Sequence, residues 1–176
     1  IKGTITIYDR SLCVEEILAR IESFQRPYHA ELEALLDEAH GRHGGAWHVN
    51  CHSMRSAGRK RGQSIPRADI VLGDRDGASC DRDFTQFVAA FLGGLGYRVA
   101  LNDPFKGAEL VTRFGRPDDS RHSLQIEINR ALYMDEDRIE KRPDFATFKA
   151  DVERLIAAIA DHVRGKLAGA GRDARG

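Results

Sequence analysis

Ser123-Leu124-Gln125-Ile126-Glu127-Ile128-Asn129-Arg130 is the stretch on which the fold turns. Leu124, Ile126 and Ile128 alternate with Gln125, Glu127 and Asn129, the period of two expected of a strand with two unlike faces. Three polar side chains therefore share one face, and the strand is expected to run from the core toward a solvent-facing edge. Glu127 has two readings: a solvated carboxylate at a sheet edge, or one held in a partly dry cleft, where general-base chemistry would put it.

Upstream of this strand, short strand patterns and helical patterns take turns. Thr4 to Tyr8 reads as a strand. Ser11 is the expected N-cap of a helix with Glu15 and Glu16 in its first turn and Ile17, Leu18, Ile21 and Phe24 on its apolar face. Pro27 predicts a break near Arg26. Leu32, Leu35, Leu36 and Ala39 then predict a second helix, ended by Gly44-Gly45. Trp47 to Cys51 reads as a strand with His52-Ser53 at its C-terminal end. Met54 to Arg67 is polar and basic and reads as a loop. Asp69 to Gly73 is another strand, and Asp81 caps a helix carrying Phe84, Phe87, Val88, Phe91 and Leu92. Tyr97 to Leu101 delivers Asn102-Asp103-Pro104, and Gly107 to Thr112 reads as a strand or an extended loop.

Downstream, Asp144 is the expected cap of a long helix. Its stripe is Phe145, Phe148, Val152, Leu155, Ile156, Ile159 and Val163. The order predicts an α/β fold with a mostly parallel or mixed sheet flanked by helices. One domain is expected over residues 1–167, with a flexible tail over 168–176. Such sheets collect their sites at the C-terminal ends of strands, which singles out His52-Ser53, Asn102 and Asn129-Arg130.

Composition narrows the function classes. Lys plus Arg equals Asp plus Glu at 27 each, so no global charge favours nucleic acid or an anionic membrane. No apolar run is long enough to cross a bilayer. Cys13, Cys51 and Cys80 are widely spaced, which argues against a disulfide framework and favours a reducing, cytoplasmic compartment. Arg55, Arg59, Lys60 and Arg61 either bind an anionic substrate or form the solvated face of a loop. No aromatic residues interleave them, so a single-strand nucleic-acid platform is unsupported. Lys106 likewise either contacts a carboxylate or lies on the surface. Ser53 lacks the glycines of a nucleophile elbow.

Alternation puts His48, Asn50 and His52 on one face of their strand and Trp47, Val49 and Cys51 on the other. His52 is either a metal ligand or a hydrogen-bonded histidine in a polar pocket. Cys51, pointing the opposite way, reads as core.

Four segments in order carry a family resemblance. They are Asn50-Cys51-His52-Ser53-Met54; Ile70-Val71-Leu72-Gly73-Asp74 followed by Cys80; Asn102-Asp103-Pro104-Phe105-Lys106-Gly107; and His122 to Arg130 with Leu132-Tyr133-Met134-Asp135-Glu136. Together they resemble the N-formylglutamate amidohydrolase family over about Tyr8 to Gly165. That family looks like the zinc carboxypeptidase and aspartoacylase group, a phosphorylase/hydrolase-like fold. The resemblance implies a zinc-dependent hydrolase cleaving N-formyl-L-glutamate to glutamate and formate, a step of histidine breakdown. It implies His52 as a metal ligand and Glu127 as the general acid/base. It assigns Asn129 and Arg130 to substrate contact or to support of Glu127. Asn102, from its strand end, and Lys106 are further candidate substrate contacts.

Phe105 stands where the family usually has Tyr, Ala108 where it has a second Gly, and Arg55 where it often has Pro. A catalytic zinc normally has three protein ligands plus water. The resemblance places the other ligands, including a His-Ser-Gly motif, upstream of Ile1. The expected partner is a small N-acyl amino acid, with neither nucleic acid nor membrane. Two alternatives stay open: a related N-acyl-amino-acid amidohydrolase, and a non-catalytic module on the same fold. A metal site within this chain would have to recruit His48, His122 or acidic residues.

Overall fold

A computed structural model describes residues 7–60 and 63–173. The strand expected over Thr4 to Tyr8 falls mostly outside these residues, and Ile7 and Tyr8 are not in a strand. Arg61 also lies outside them.

Helix α1 (Val14–Arg20) starts after Cys13 rather than Ser11. The Glu16 carboxylate reaches back to accept the Cys13 N–H at 3.0 Å, supplying the acceptor that an N-terminus needs. A π-helical turn, Ile21–Gln25, leads directly into α2 (Arg26–His43). The break predicted by Pro27 therefore does not occur. The Arg26 N–H reaches the Ile21 carbonyl through the widened turn, and Pro27 falls in the first turn of α2, where no N–H is required. Gly44, at φ 76°, closes α2 as expected.

Strand β1 (Ala46–Met54) is followed by a hairpin of β2 (Ala57–Lys60) and β3 (Gln63–Pro66), where a loop was expected. Every residue of β3 is exposed, so neither face carries the apolar alternation that marks a strand in sequence. Then come β4 (Ile70–Gly73), α3 (Arg82–Gly94) and β5 (Val99–Leu101). Asp81 caps α3 as predicted, its carboxylate accepting the Asp83 N–H at 3.0 Å. Glu109–Phe114 forms helix α4, not a strand or extended loop. Burying Val111 and Phe114, three apart, outweighs the β-propensity of Val111 and Thr112.

Strand β6 (Arg121–Asn129) contains the opening stretch. The small pair β7 (Met134–Asp135) and β8 (Glu140–Lys141) precedes α5 (Phe145–Asp173). α5 begins directly after Asp144, as the sequence suggests: the Asp144 carbonyl accepts the Thr147 N–H at 3.0 Å and the Phe148 N–H at 3.4 Å, while its side chain bonds Arg142 at 2.9 Å. The helix also continues past Leu167, through residues expected to fray.

The four-stranded sheet has the order β1-β6-β4-β5. β1 runs parallel to β6, and β4 parallel to β5, but β4 is antiparallel to β6. This is the layered α/β architecture with a mixed sheet that the alternation predicts. Two expectations fail for topological reasons. β6 is an interior strand, and Glu127 is only 7% exposed, so it is not a sheet-edge carboxylate. The antiparallel join also separates the polar strand ends. His52-Ser53 and Asn129-Arg130 share one end, whereas Leu101 aligns with Leu72 and through it with Ile126, sending Asn102 toward the opposite end.

One face of the sheet packs on α3 and α5 through Ile70, Leu72, Phe84, Val88, Leu92, Leu124, Ile126 and Leu155. The other carries Gln125 and Glu127, and α4 approaches it with Val111 buried. Cys51 is exposed, not core, because β1 is an edge strand and an apolar recess of about 310 Å³ opens between it and α5.

Candidate active site

The parallel register sets His52 opposite Glu127, with Val71 of β4 on the other flank of Glu127. His52 Nδ1 lies 3.8 Å from Glu127 Oε1. The imidazole is 40% exposed and the carboxylate 9%, so a nearly dry acid meets a base open to solvent. Asn50 Nδ2 is 3.0 Å from His52 Nε2. The His52 tautomer decides whether Asn50 turns its NH₂ or its oxygen to Nε2; with the oxygen there, Nε2–H donates and the Nδ1 lone pair beside Glu127 is left free to ligate.

Glu127 is held from below. Gln125 Nε2 donates to its Oε1 at 2.9 Å, and Gln125 Oε1 accepts the Ala108 N–H at 2.9 Å. The backbone of the preceding loop lies close against β4. A Cβ on Gly73 would meet Gly107 N and Lys106 C at 2.7 Å, so glycine is required there.

Arg130 leaves the end of β6 toward β1. Its Nε donates to Ser53 Oγ at 3.2 Å, and its Nη1 lies 3.8 Å from Glu136 Oε1. Burial pushes the Glu136 carboxyl up, but hydrogen bonds from the Ser56 hydroxyl and amide, with Arg130 and Arg55 nearby, hold it below the usual range. A recess of about 480 Å³ opens beside this cluster, lined by Arg55, Arg130, Met134 and Glu136. Another recess, of about 630 Å³, lies by Trp47 and His122 at the far end of the sheet, away from the acid.

The other candidates are otherwise engaged. The buried Asn129 caps the turn after β6, accepting the Ala131 N–H at 3.0 Å and donating to the Ala68 carbonyl at 3.1 Å. Asn102 donates to Asp74 Oδ1 at 2.7 Å and accepts the Asp74 N–H at 3.1 Å, so it braces the loop after β5. Lys106 pairs with Asp76 at 2.6 Å on the surface. His48 bonds Ser123 at 2.9 Å, and burial lowers its pKa. His122 is on the opposite face, stacked on Trp47 at 4.8 Å. The roles of Gln125 and of the Ser56–Glu136 pair were missed in the sequence. The Gln-x-Glu spacing, which puts both side chains on one face, was the available signal for Gln125.

His52 offers one imidazole donor beside a carboxylate, but no group of three His, Cys, Asp or Glu residues converges among the described residues. The described donor set fits part of a zinc site, not a whole one.

The N-formylglutamate amidohydrolase family model matches residues 1–134. The chain belongs to that family. A curated N-formylglutamate deformylase from Pseudomonas putida is 32% identical over 69% of this chain and 46% of its own length. One from Pseudomonas aeruginosa is 29% identical over 90% and 58%. The crystal structure of an N-formylglutamate amidohydrolase from Ralstonia eutropha is 43% identical, with a TM-score of 0.83 over 90% of this chain and 58% of that one. A structure from Agrobacterium tumefaciens, at 19% identity and a TM-score of 0.62, shares the fold. The chain spans about half the length of the curated relatives it matches. Among the described residues no helix is long and apolar enough to cross a membrane.

Proposed function

We propose that this chain carries the acid–base side of an amidohydrolase that converts N-formyl-L-glutamate and water to L-glutamate and formate. The observation that carries the reading is a nearly dry carboxylate, Glu127, beside the solvent-open His52, in a chain whose family relatives are named for this reaction. Glu127 takes a proton from the water that attacks the formyl carbon. As the C–N bond breaks it returns that proton to the leaving nitrogen, and the water oxygen ends in formate.

His52 is the residue that would contribute a zinc ligand, the remaining ligands coming from outside the described residues. Zinc would supply Lewis acidity toward the formyl oxygen and the water. Arg130, beside the recess at the end of β6, is the choice for a substrate carboxylate. Asn102 and Lys106 act through the loop they brace rather than by direct contact. A place in histidine breakdown and a cytoplasmic setting belong to the same proposal.

Formate release from N-formyl-L-glutamate, with N-acetyl and N-succinyl amino acids alongside, tests the substrate. Glu127→Gln is expected to abolish turnover while stoichiometric zinc is retained. Full activity in that variant removes Glu127 from its role. The incomplete donor set favours a second reading, a non-catalytic module on this fold. Tight binding of one zinc per chain together with deformylation refutes it.

A further inference from the structure

We infer that Gln125 is a positioning residue, which holds Glu127 by Oε1 and reserves Oε2 for proton transfer. The inference rests on the acid–base role proposed for Glu127.

Gln125 is 3% exposed and lies two residues from Glu127, on the same face of β6. The orientation of its amide is dictated by its neighbours. The Ala108 N–H can only donate, and it lies 2.9 Å from Gln125 Oε1. A flipped amide would set two donors against each other at a buried position. The NH₂ end must therefore point at Glu127, where Nε2 lies 2.9 Å from Oε1.

Glu127 Oε1 thus faces both the Gln125 donor and His52 Nδ1, while Oε2 makes no hydrogen bond to any described residue. A proton arriving at the carboxylate goes to the oxygen that is not already accepting the Gln125 N–H, which is Oε2. The amide also stops the carboxylate from rotating, so Oε2 keeps one orientation. The Ala108 N–H is itself placed by the loop closed over Gly73, and the Arg75 N–H donates to the Lys106 carbonyl at 2.9 Å. An element two strands away from His52 therefore aims the acid.

Gln125→Glu tests this with little change of shape when assayed at a pH high enough to ionise both carboxyls, because it then still accepts the Ala108 N–H but loses the donor to Glu127, whereas at lower pH the pair shares a proton. Gln125→Met loses both. Both variants are expected to lower kcat for formate release about 100-fold with KM unchanged, since an acid out of alignment slows chemistry without weakening substrate binding. A folded variant with wild-type kcat overturns the inference, as does one in which only KM rises. If Gln125→Met does not fold, Gln125→Glu decides. A second measurement needs no turnover. In protein labelled with ¹³C-glutamate, the infrared difference against the matching Glu127→Gln protein isolates the Glu127 carboxylate stretch. Loss of the Gln125 donor is expected to shift that band, and an unshifted band overturns the relay. Should the wild type release no formate, the functional reading fails, and the infrared band still decides whether Gln125 holds Glu127.

Discussion

Gly73→Ala is the substitution that most directly links packing to the site. A Cβ built on Gly73 would meet Gly107 N and Lys106 C at 2.7 Å and Lys106 O at 3.0 Å, whereas ordinary contacts begin at 3.4 Å. The obstacle is backbone, and the Arg75 N–H to Lys106 carbonyl bond at 2.9 Å ties it down, so no side chain can rotate away. Relief requires the loop to move by about 0.7 Å, the difference between 3.4 and 2.7 Å. Overpacking of this kind costs about 1–3 kcal/mol. For a chain of this size each kcal/mol lowers Tm by about 2–4 °C, so a loss of about 2–12 °C is expected. The same displacement moves the Ala108 N–H, loosens Gln125 and lets Glu127 swing, and a shift approaching 1 Å can cost up to about 100-fold in rate. Thermal melts followed by circular dichroism, paired with formate release, read both effects. Gly41→Ala in α2, with nothing within 4 Å of the added carbon, is the control. It is expected to gain up to about 1 kcal/mol of helix propensity. A Gly73→Ala protein with an unchanged Tm refutes the packing argument. One that melts earlier at full kcat refutes the coupling to Glu127.

Acid should weaken the fold through its histidines. Burial holds His48, His122 and His162 below their ordinary value of 6.5, with Asp81 partly opposing at His122. Their folded pKa values lie below the unfolded ones, so the stability they contribute is present above about pH 6.5 and is lost as the pH falls through the folded values. His162 Nε2 is buried without a partner among the described residues, while the ring stacks on Phe87 at 4.1 Å. His162→Phe is expected to stabilise the fold by about 1 kcal/mol, and by more at pH 5 than at pH 8. Equal gains at the two pH values would contradict this. Thiol labelling of the native protein should modify Cys13 and Cys51 and spare Cys80, which is fully buried with its thiol pushed up to about 12 by burial. Fast reaction of all three would show that the region around Cys80 opens. Arg130→Ala should raise KM for N-formyl-L-glutamate about tenfold or more, with a smaller change in kcat. An unchanged KM would place the substrate carboxylates elsewhere.

The layered fold could be read from the sequence because apolar periodicity reports burial, and burial organises this chain. The stripe on α5 apart from the exposed Ile156, the Asp81 cap and the strand β6 all appear where expected. What the sequence concealed was relational. Alternation reveals a strand's faces but not its neighbours, so Glu127 looked equally suited to a sheet edge or an interior strand. Strand direction is invisible in sequence as well, and for that reason Asn102 was grouped with Asn129 although the antiparallel β4–β6 join sends them to opposite ends. Local rules also lost where another element supplied what they demanded: the π turn carries the helix into Pro27, and burial of Val111 and Phe114 overrides strand propensity. At the site, His52 and Glu127 are brought together by the parallel register. Gln125 is harder to read, because an amide signals chemistry weakly until its orientation is fixed by a contact far away in sequence.

The pairing of β6 with unlike neighbours also makes the site unforgiving of changes in chain length. A strand slipped by one residue turns every side chain to the opposite face. Losing a single residue from the first half of β6 would swing Glu127 into the apolar layer against α3 and α5 and set Ile128 beside His52 in its place. Residues at the start of β6 can change identity as their packing allows, but their number is fixed by the acid that follows them.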